Sequence, residues 1–292
     1  MGKIKHMIQD ISFGKLDNQF KNIEITDNDV VVCFRGRSVL VNKNAEHIAC
    51  MPRWSQVKEW SRDWGHWIDA PVIYGFSLQD VNYFIWMGYA EETADDTYNF
   101  ETVTDIRNML HKDIYFGIMT AWHIYSWYRA NQYCGICGEK TRHDEKERMM
   151  RCDKCNNLIF PRIAPAVIIG LTDGDKLMMS RYANATTKRY GLLAGFIEIG
   201  ETAEEAVARE VMEEVGLKVK NIRYYGSQPW GIAGNLSLGY YCDLDGDGTV
   251  TLDTNELSCA EWHDRSEVPH EDDGISLTRE MMVTFHNGKE PK

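Results

Sequence analysis

Apolar and polar positions change rhythm several times along this 292-residue chain, and the changes divide it. Near the start, compact β-branched and aromatic runs at Val30 to Phe34 and Ser38 to Val41 predict short strands. From Asp105 to Asn131 apolar residues fall at helical spacing with no proline between them, which predicts one helix ending near a first pair of cysteines. After Pro161 the rhythm turns strand-like. The apolar run Ala164 to Leu171, the turn chemistry Thr172-Asp173-Gly174-Asp175 and the run Lys176 to Ser180 predict a β-hairpin. Leu238 to Cys242 and Thr249 to Leu252 flank the Asp- and Gly-rich stretch 243–248 and predict another hairpin. That stretch opens like a calcium loop at Asp243, but Thr254 stands where such a loop needs a bidentate glutamate, so the turn reading is preferred.

The best-bounded element runs from Thr202 to Gly216. Thr202 and Glu205 have capping-box spacing, Ala203 to Val215 holds neither Gly nor Pro, and Gly216 is placed to stop a helix. At about 100° per residue, Glu210, Glu213 and Glu214 share an arc of about 100° beside the apolar stripe Val207, Val211 and Val215. One face of the helix therefore buries while its neighbour carries three carboxylates. Seven acidic residues and one arginine lie between Ile197 and Leu217. A solvated face intersperses lysines at i+4, and this one does not. Clustered carboxylates repel one another and favour a hard divalent cation such as Mg²⁺ or Mn²⁺.

Eight cysteines change the picture upstream. Cys134, Cys137, Cys152 and Cys155 form a Cys-x2-Cys-x14-Cys-x2-Cys pattern, the spacing of a four-thiolate Zn²⁺ site. With every ligand supplied by the protein, that zinc is structural, one per subunit. Cys33, Cys50, Cys242 and Cys259 are read as small buried residues. Seven of the nine tryptophans precede residue 128 and are read as the aromatic core of a small domain, and His123 as a packed or surface residue. Lys and Arg number 32 against 44 Asp and Glu, a net charge of −12. This excludes general binding of nucleic acid or anionic membrane by bulk charge, so phosphate chemistry here needs metal or a local basic pocket. No apolar run reaches the ~20 residues of a membrane span. Met1 to His6 lacks a leader's apolar core, which makes the cytosol the expected compartment. The expected division is an N-terminal domain over 1–128, a zinc ribbon over 129–160 and an α/β domain over 161–292.

Gly195, Glu201, Arg209, Glu210, Val211, Glu213, Glu214, Gly216 and Leu217 occupy the pattern Gly-x5-Glu-x7-Arg-Glu-U-x-Glu-Glu-x-Gly-U, with U a bulky aliphatic. This resembles the Nudix box. The four-cysteine unit ahead of it, and Ser227-Gln228-Pro229-Trp230 behind it, resemble the NADH pyrophosphatase branch of Nudix hydrolases, though Gly231 to Asn235 replaces that branch's Pro-Phe-Pro-x-Ser. The resemblance implies a mixed α+β or α/β chain: an α/β/α sandwich around a mixed sheet, preceded by the ribbon and a smaller N-terminal α+β domain. It implies metal ligation by Glu210, Glu214, the Ala194 carbonyl and Glu256, with Glu213 as a further ligand or base. Arg209 is implied to orient Glu201. Substrate contacts are implied at Phe196, which stacks the nicotinamide, at Gln228, Pro229, Trp230 and Asn235, at Phe160 in place of a tyrosine, and at Glu147. The implied reaction splits NAD(H) into NMN(H) and AMP, extends to NAD-capped RNA, and takes place in a homodimer. Two alternatives stand beside it: a Nudix hydrolase of ADP-ribose or dinucleoside polyphosphates, and a non-catalytic ligand sensor.

Overall fold

The computed structural model describes residues 7–11, 14–45, 50–64, 70–88, 96–183 and 189–292. The opening residues Met1 to His6, read above as lacking a leader, lie outside these. The chain divides into two compact units.

One unit comprises the described residues of 11–162 together with Gly231–Gly234. Its sheet contains β1 (Leu16–Asp17), β2 (Val30–Arg35), β3 (Ser38–Val41), β4 (Val72–Leu78), β5 (Val81–Trp86) and β6 (Asn99–Thr102), in the order β1-β4-β5-β2-β3-β6. Helix α1 spans Trp54–Trp64 and α2 spans Lys112–Ala130. Both strands expected near the start are present, as β2 and β3. Trp60 and Trp86 are buried with Val31, Cys33, Leu40 and Val57, and Trp127 is buried with Tyr128 and Met150, so these tryptophans are core. The expected single helix over 105–131 is broken. A short 3-10 turn covers Asp105–Asn108, and His111 is extended with its ring accepting from the Asp113 amide, so α2 begins only at Lys112. Helical spacing registered the apolar face and missed a cap formed by an imidazole. Two-residue strands β7 (Arg142–His143), β8 (Met150–Arg151) and β9 (Leu158–Ile159) form the cysteine-bounded unit. Arg148 inserts between them and the sheet, donating to the carbonyls of Asn18 and Gly75.

The other unit holds residues 7–10, 163–230 and 235–292. Its strands are β10 (Ala164–Asp173), β11 (Lys176–Tyr182), β12 (Leu193–Phe196), β13 (Val219–Trp230), β14 (Asn235–Leu244) and β15 (Leu257–Asp264). Their order is β13-β14-β10-β11-β15, with β12 paired to the first half of β10. β10 runs parallel to β14 and antiparallel to β11, so the sheet is mixed. Helix α3 (Ala203–Val215) covers one face through Val207, Val211 and Val215, which meet Val167, Ile169, Met178 and Cys242. Each fully buried valine contributes about 1.5–3 kcal/mol. Helix α4 (Leu277–His286) covers the other face, where Met281 and Phe285 meet Leu177, Met179 and Tyr241. The strand residues alternate between the two helices at period two. This is the expected α/β/α sandwich. No described helix is long and apolar enough to cross a membrane.

The hairpin expected across 243–248 is corrected. β14 is a strand, but 249–252 is not. There the chain crosses the end of α3: Thr251 donates its amide to the Val215 carbonyl and Asp253 to that of Glu214. Those helix-end carbonyls have no partner within the helix, and they draw the segment away from a ladder. Asp243, the first residue of the rejected calcium loop, is held by Arg223 at 2.7 Å, Asn221 and Thr172.

Candidate active site and metal centre

Helix α3 starts and stops where its sequence says. Thr202 accepts from the Glu205 amide while Glu205 returns a bond to the Thr202 amide, and Gly216 takes φ 70° to end the helix. Those boundaries set the rotation of α3 and so the direction of its carboxylates. Glu210 and Glu214 are carried inward, while Glu213 stays exposed. Glu210 lies directly over the β12 backbone. A Cβ built on Gly195 would stand 1.9 Å from the Glu210 carboxyl carbon, so any other residue there would displace that carboxylate.

Arg209 arranges the acidic groups around it. Its Nε and Nη2 grip both oxygens of Glu201 at 2.8 and 2.9 Å, its Nη1 donates to Glu210 at 2.7 Å and Glu213 at 2.9 Å, and its Nη2 also donates to the Phe196 carbonyl. The bidentate pair, with help from the Glu198 amide, pulls Glu201 down to about 2. Arg209 thus orients Glu201, and it does more by holding two of the three clustered glutamates and the end of β12.

Glu214 is the group without compensation. It is 1% exposed, and neither carboxylate oxygen has a hydrogen-bond partner. The Ala194 amide leans toward it and offsets a little of the cost without reaching hydrogen-bond geometry. Burial, and then the charges of Glu210 and Glu256, push its pKa up to about 8. Burial also raises Glu210, against the pull of Arg209. Glu214 is thus buried with two orphaned oxygens under the influence of two more carboxylates, a costly arrangement for a bare protein, although among the described residues only Cys134, Cys137, Cys152 and Cys155 already bring three or more possible metal ligands within 4.8 Å of one another.

A cleft of about 530 Å³ opens at this point. Ala194, Phe196, Glu210, Glu213, Asn235 and Glu256 all line it. Phe196 presents a ring 54% exposed, and the Asn235 Oδ1 is buried without a partner. Other expected residues fall elsewhere. Gln228 is buried and its amide is spent internally: Nε2 donates to the Ile275 carbonyl at 2.6 Å and Oε1 accepts from the Leu277 amide at 2.8 Å. Pro229 is exposed and Trp230 half-buried at the end of β13, and neither lines the cleft. Glu147 and Phe160 are exposed residues of the other unit.

Tyr182 also lines the cleft, and sequence reasoning passed over it. It ends β11, where the ladder to β15 shifts register between Arg181 and Tyr182, and the next amide, from Ala183, donates to the Glu256 carbonyl. Burial, with the charges of Glu214, Glu210 and Glu256, pushes the phenol up to about 12. A tyrosine closing an apolar run carries no sequence signal of its own.

In the other unit the four sulfurs of Cys134, Cys137, Cys152 and Cys155 lie within 4.8 Å of one another, with Cys134–Cys155 and Cys137–Cys152 at 3.5 Å. Thiolates tetrahedral about zinc at about 2.3 Å stand about 3.8 Å apart, so this set fits one such ion. Both loops are built alike. Gly138 and Asn156 take positive φ after each pair, and their amides return to the Cys134 and Cys152 carbonyls. The Cys137 and Ile136 amides lower the Cys134 thiol to about 6, while burial and the neighbouring sulfurs push Cys155 up to about 12, so without an ion the four share protons that a metal would displace. Of the other cysteines, Cys33, Cys50 and Cys242 are buried as expected and Cys259 is half-buried.

Residues 161–284 match the NUDIX domain model, and residues 129–160 match the NADH pyrophosphatase zinc ribbon domain model. A protein of Photorhabdus laumondii called NAD-capped RNA hydrolase NudC is 39% identical over 143 residues, which cover 49% of this chain and 55% of that one. One of the same name from Vibrio atlanticus is 34% identical over 178 residues, 58% of this chain and 63% of that one. The chain therefore spans somewhat over half the length of these curated relatives. The crystal structure of a NUDIX hydrolase from Nitrosomonas europaea is 18% identical with a TM-score of 0.46, covering 54% of this chain and 92% of that one. Taken with Gly195, Arg209, Glu210 and Glu213 lining the cleft, the two family models show that this chain carries a NUDIX domain directly behind an NADH pyrophosphatase zinc ribbon domain.

Proposed function

We propose that the chain is a metal-dependent hydrolase that cleaves the diphosphate of NAD(H) to NMN(H) and AMP and acts on NAD-capped RNA ends. The observation that carries a metal-dependent site is Glu214, buried with both oxygens unpartnered while the charges of Glu210 and Glu256 act on it. The family models and the names of the relatives support the substrate.

Glu210, Glu214 and Glu256, with the Ala194 carbonyl, would hold Mg²⁺ or Mn²⁺. A bound divalent ion supplies charge neutralisation at the diphosphate and a lowered pKa for attacking water. Glu213 is exposed and keeps one oxygen clear of Arg209, so it can accept a proton from that water. Arg209 holds Glu210 and Glu213 in place, and its Nη1 donors are used in doing so. Phe196 offers a ring face for a planar base, and Asn235 an unpartnered carbonyl oxygen. The four cysteines would hold one structural zinc per subunit. A cytosolic homodimer belongs to the same reading, supported by resemblance, and sedimentation of the purified chain tests the dimer.

Purified chain with Mg²⁺ or Mn²⁺ and a panel of NADH, NAD⁺, ADP-ribose, diadenosine polyphosphates and NAD-capped RNA tests the proposal. NMN(H) plus AMP as the favoured products supports it. A second reading, in which another diphosphate is preferred, draws on two observations: Gly231 to Asn235 departs from the branch pattern, and the Gln228 amide is committed inside the fold. Faster turnover of ADP-ribose or a dinucleoside polyphosphate would favour that reading. Tight binding without turnover would point to a sensor.

A further inference from the structure

The cleft is short of hydrogen-bond donors. Glu198, Glu210, Glu213 and Glu256 bring only acceptors when ionised. A guanidinium has five N–H donors, and the five bonds Arg209 makes to Glu201, Glu210, Glu213 and the Phe196 carbonyl use all of them. The Asn235 amide nitrogen already donates to Ser237, which leaves it one hydrogen. The Tyr182 hydroxyl has no hydrogen-bond partner among the described residues, and the residue, 45% exposed, lines the cleft. Its position is fixed from behind. The register shift in the β11–β15 ladder falls at Tyr182, the Ser258 hydroxyl donates to the Arg181 carbonyl, and the Ala183 amide is tied to Glu256. Irregular ladders next to sites commonly re-aim one side chain. Here the side chain is a neutral donor held beside the carboxylates that would carry the cation.

We propose that the Tyr182 hydroxyl donates a hydrogen bond to a non-bridging oxygen of the substrate's diphosphate, making it a substrate-positioning residue in a cleft whose other side-chain donors are a spent arginine and one remaining Asn235 amide hydrogen. This rests on the reading that the cleft takes a diphosphate. A phosphate oxygen left without donors in an acidic cleft would be poorly held even with a cation present. A phenol supplies a donor without adding a charge that would compete with the cation for the carboxylates.

The test is Tyr182→Phe in the full zinc-bearing chain, assayed with NADH and Mn²⁺. A hydrogen bond to a charged group is expected to cost roughly 10- to 100-fold in kcat/KM on removal. Mn²⁺ affinity, followed by the EPR signal of the free ion, and the melting temperature should not move. Wild-type kcat/KM in the phenylalanine variant overturns the proposal, because the ring alone then suffices. A parallel loss of Mn²⁺ affinity also overturns it, because the hydroxyl then serves the carboxylates. ADP binding in the presence of Mn²⁺ separates this proposal from the reading beneath it. A wild-type chain that binds ADP but cleaves no dinucleotide sinks the hydrolase reading, and the proposal is then decided by whether Tyr182→Phe weakens ADP binding. A wild-type chain that binds Mn²⁺ but no ADP sinks both.

Discussion

Replacing Glu214 with glutamine changes one charge at nearly constant volume, and the fold states what should follow. The native carboxyl is buried without a hydrogen-bond partner, and its pKa stands at about 8 where 4.5 is ordinary. In the unfolded chain it loses its proton near the ordinary value. Between those two pH values the unfolded chain binds fewer protons than the native one, so stability falls as pH rises, and above about 8 the loss is complete. At about 1.4 kcal/mol for each tenfold step, the full span comes to roughly 4–5 kcal/mol, of which roughly 3 kcal/mol has been lost by about pH 7. Glutamine does not titrate. With zinc retained and other divalent ions removed, the wild-type chain should therefore lose stability relative to Glu214→Gln from about pH 5 to about pH 8. Manganese should reverse the order. An ion that binds only the native state at a hundredfold excess over its Kd adds about 2.7 kcal/mol, and it should add this to the wild type and little to the variant. Turnover should be lost in the variant as well. Urea denaturation across that pH range, with and without Mn²⁺, reads the stability terms together. Parallel pH profiles for the two chains, or equal stabilisation of both by Mn²⁺, would refute the reasoning.

Three further outcomes follow from neighbouring residues. Cys134→Ser should lose bound zinc, counted by metal analysis, and should melt far below the wild type, since structural zinc is worth ~10–16 kcal/mol in small zinc-finger peptides; a variant that is folded, active and zinc-free would contradict the structural role. Gly195→Ala puts a methyl where the Glu210 carboxyl now lies, so Mn²⁺ affinity should fall about 10- to 100-fold, as it does when ligand-orienting groups are disturbed, and unchanged affinity would mean that Glu210 is not a ligand. Gln228→Ala should cost about 1–3 kcal/mol in urea denaturation through the unpaired Ile275 carbonyl and Leu277 amide and should leave KM for NADH alone; a raised KM at unchanged stability would return Gln228 to the substrate.

How far the chain could be read without its structure depended on how local each signal was. The capping box, the valine stripe and Gly216 lie within one helix, so the boundaries of α3 were legible to the residue. The turn around Gly174, with φ 56°, was equally plain. The two cysteine pairs were legible because a four-thiolate site imposes its spacing on the sequence, and their sulfurs do converge. Contacts that periodicity and composition do not register account for the departures. Thr249 to Leu252 has the composition of a strand, but the free carbonyls of Val215 and Glu214 reach it first. The break at His111 depends on an imidazole accepting from an amide two residues on, and periodicity does not register that. Gln228 sits in a motif associated with substrate, while its amide is consumed by the segment leading into α4, some fifty residues away in the chain.

The same distinction explains why the acidic helix was legible as a site while the order within its glutamates was not. Three carboxylates on one arc signal a cation, but spacing alone treats Glu210, Glu213 and Glu214 as equivalent. The fold separates them by assigning each a different partner. Glu213 is exposed and shares Arg209. Glu210 is buried, bonded to Arg209, and pressed against the one position in β12 that has no side chain. Glu214 is buried with no hydrogen-bond partner for either oxygen. Arg209 therefore has no donor left for substrate, since each is already engaged. What remains around Glu214 is a buried carboxyl that no described side chain stabilises in its charged form. A proton or a cation can each supply that stabilisation, and the pH and Mn²⁺ arms of the Glu214→Gln comparison tell the two apart.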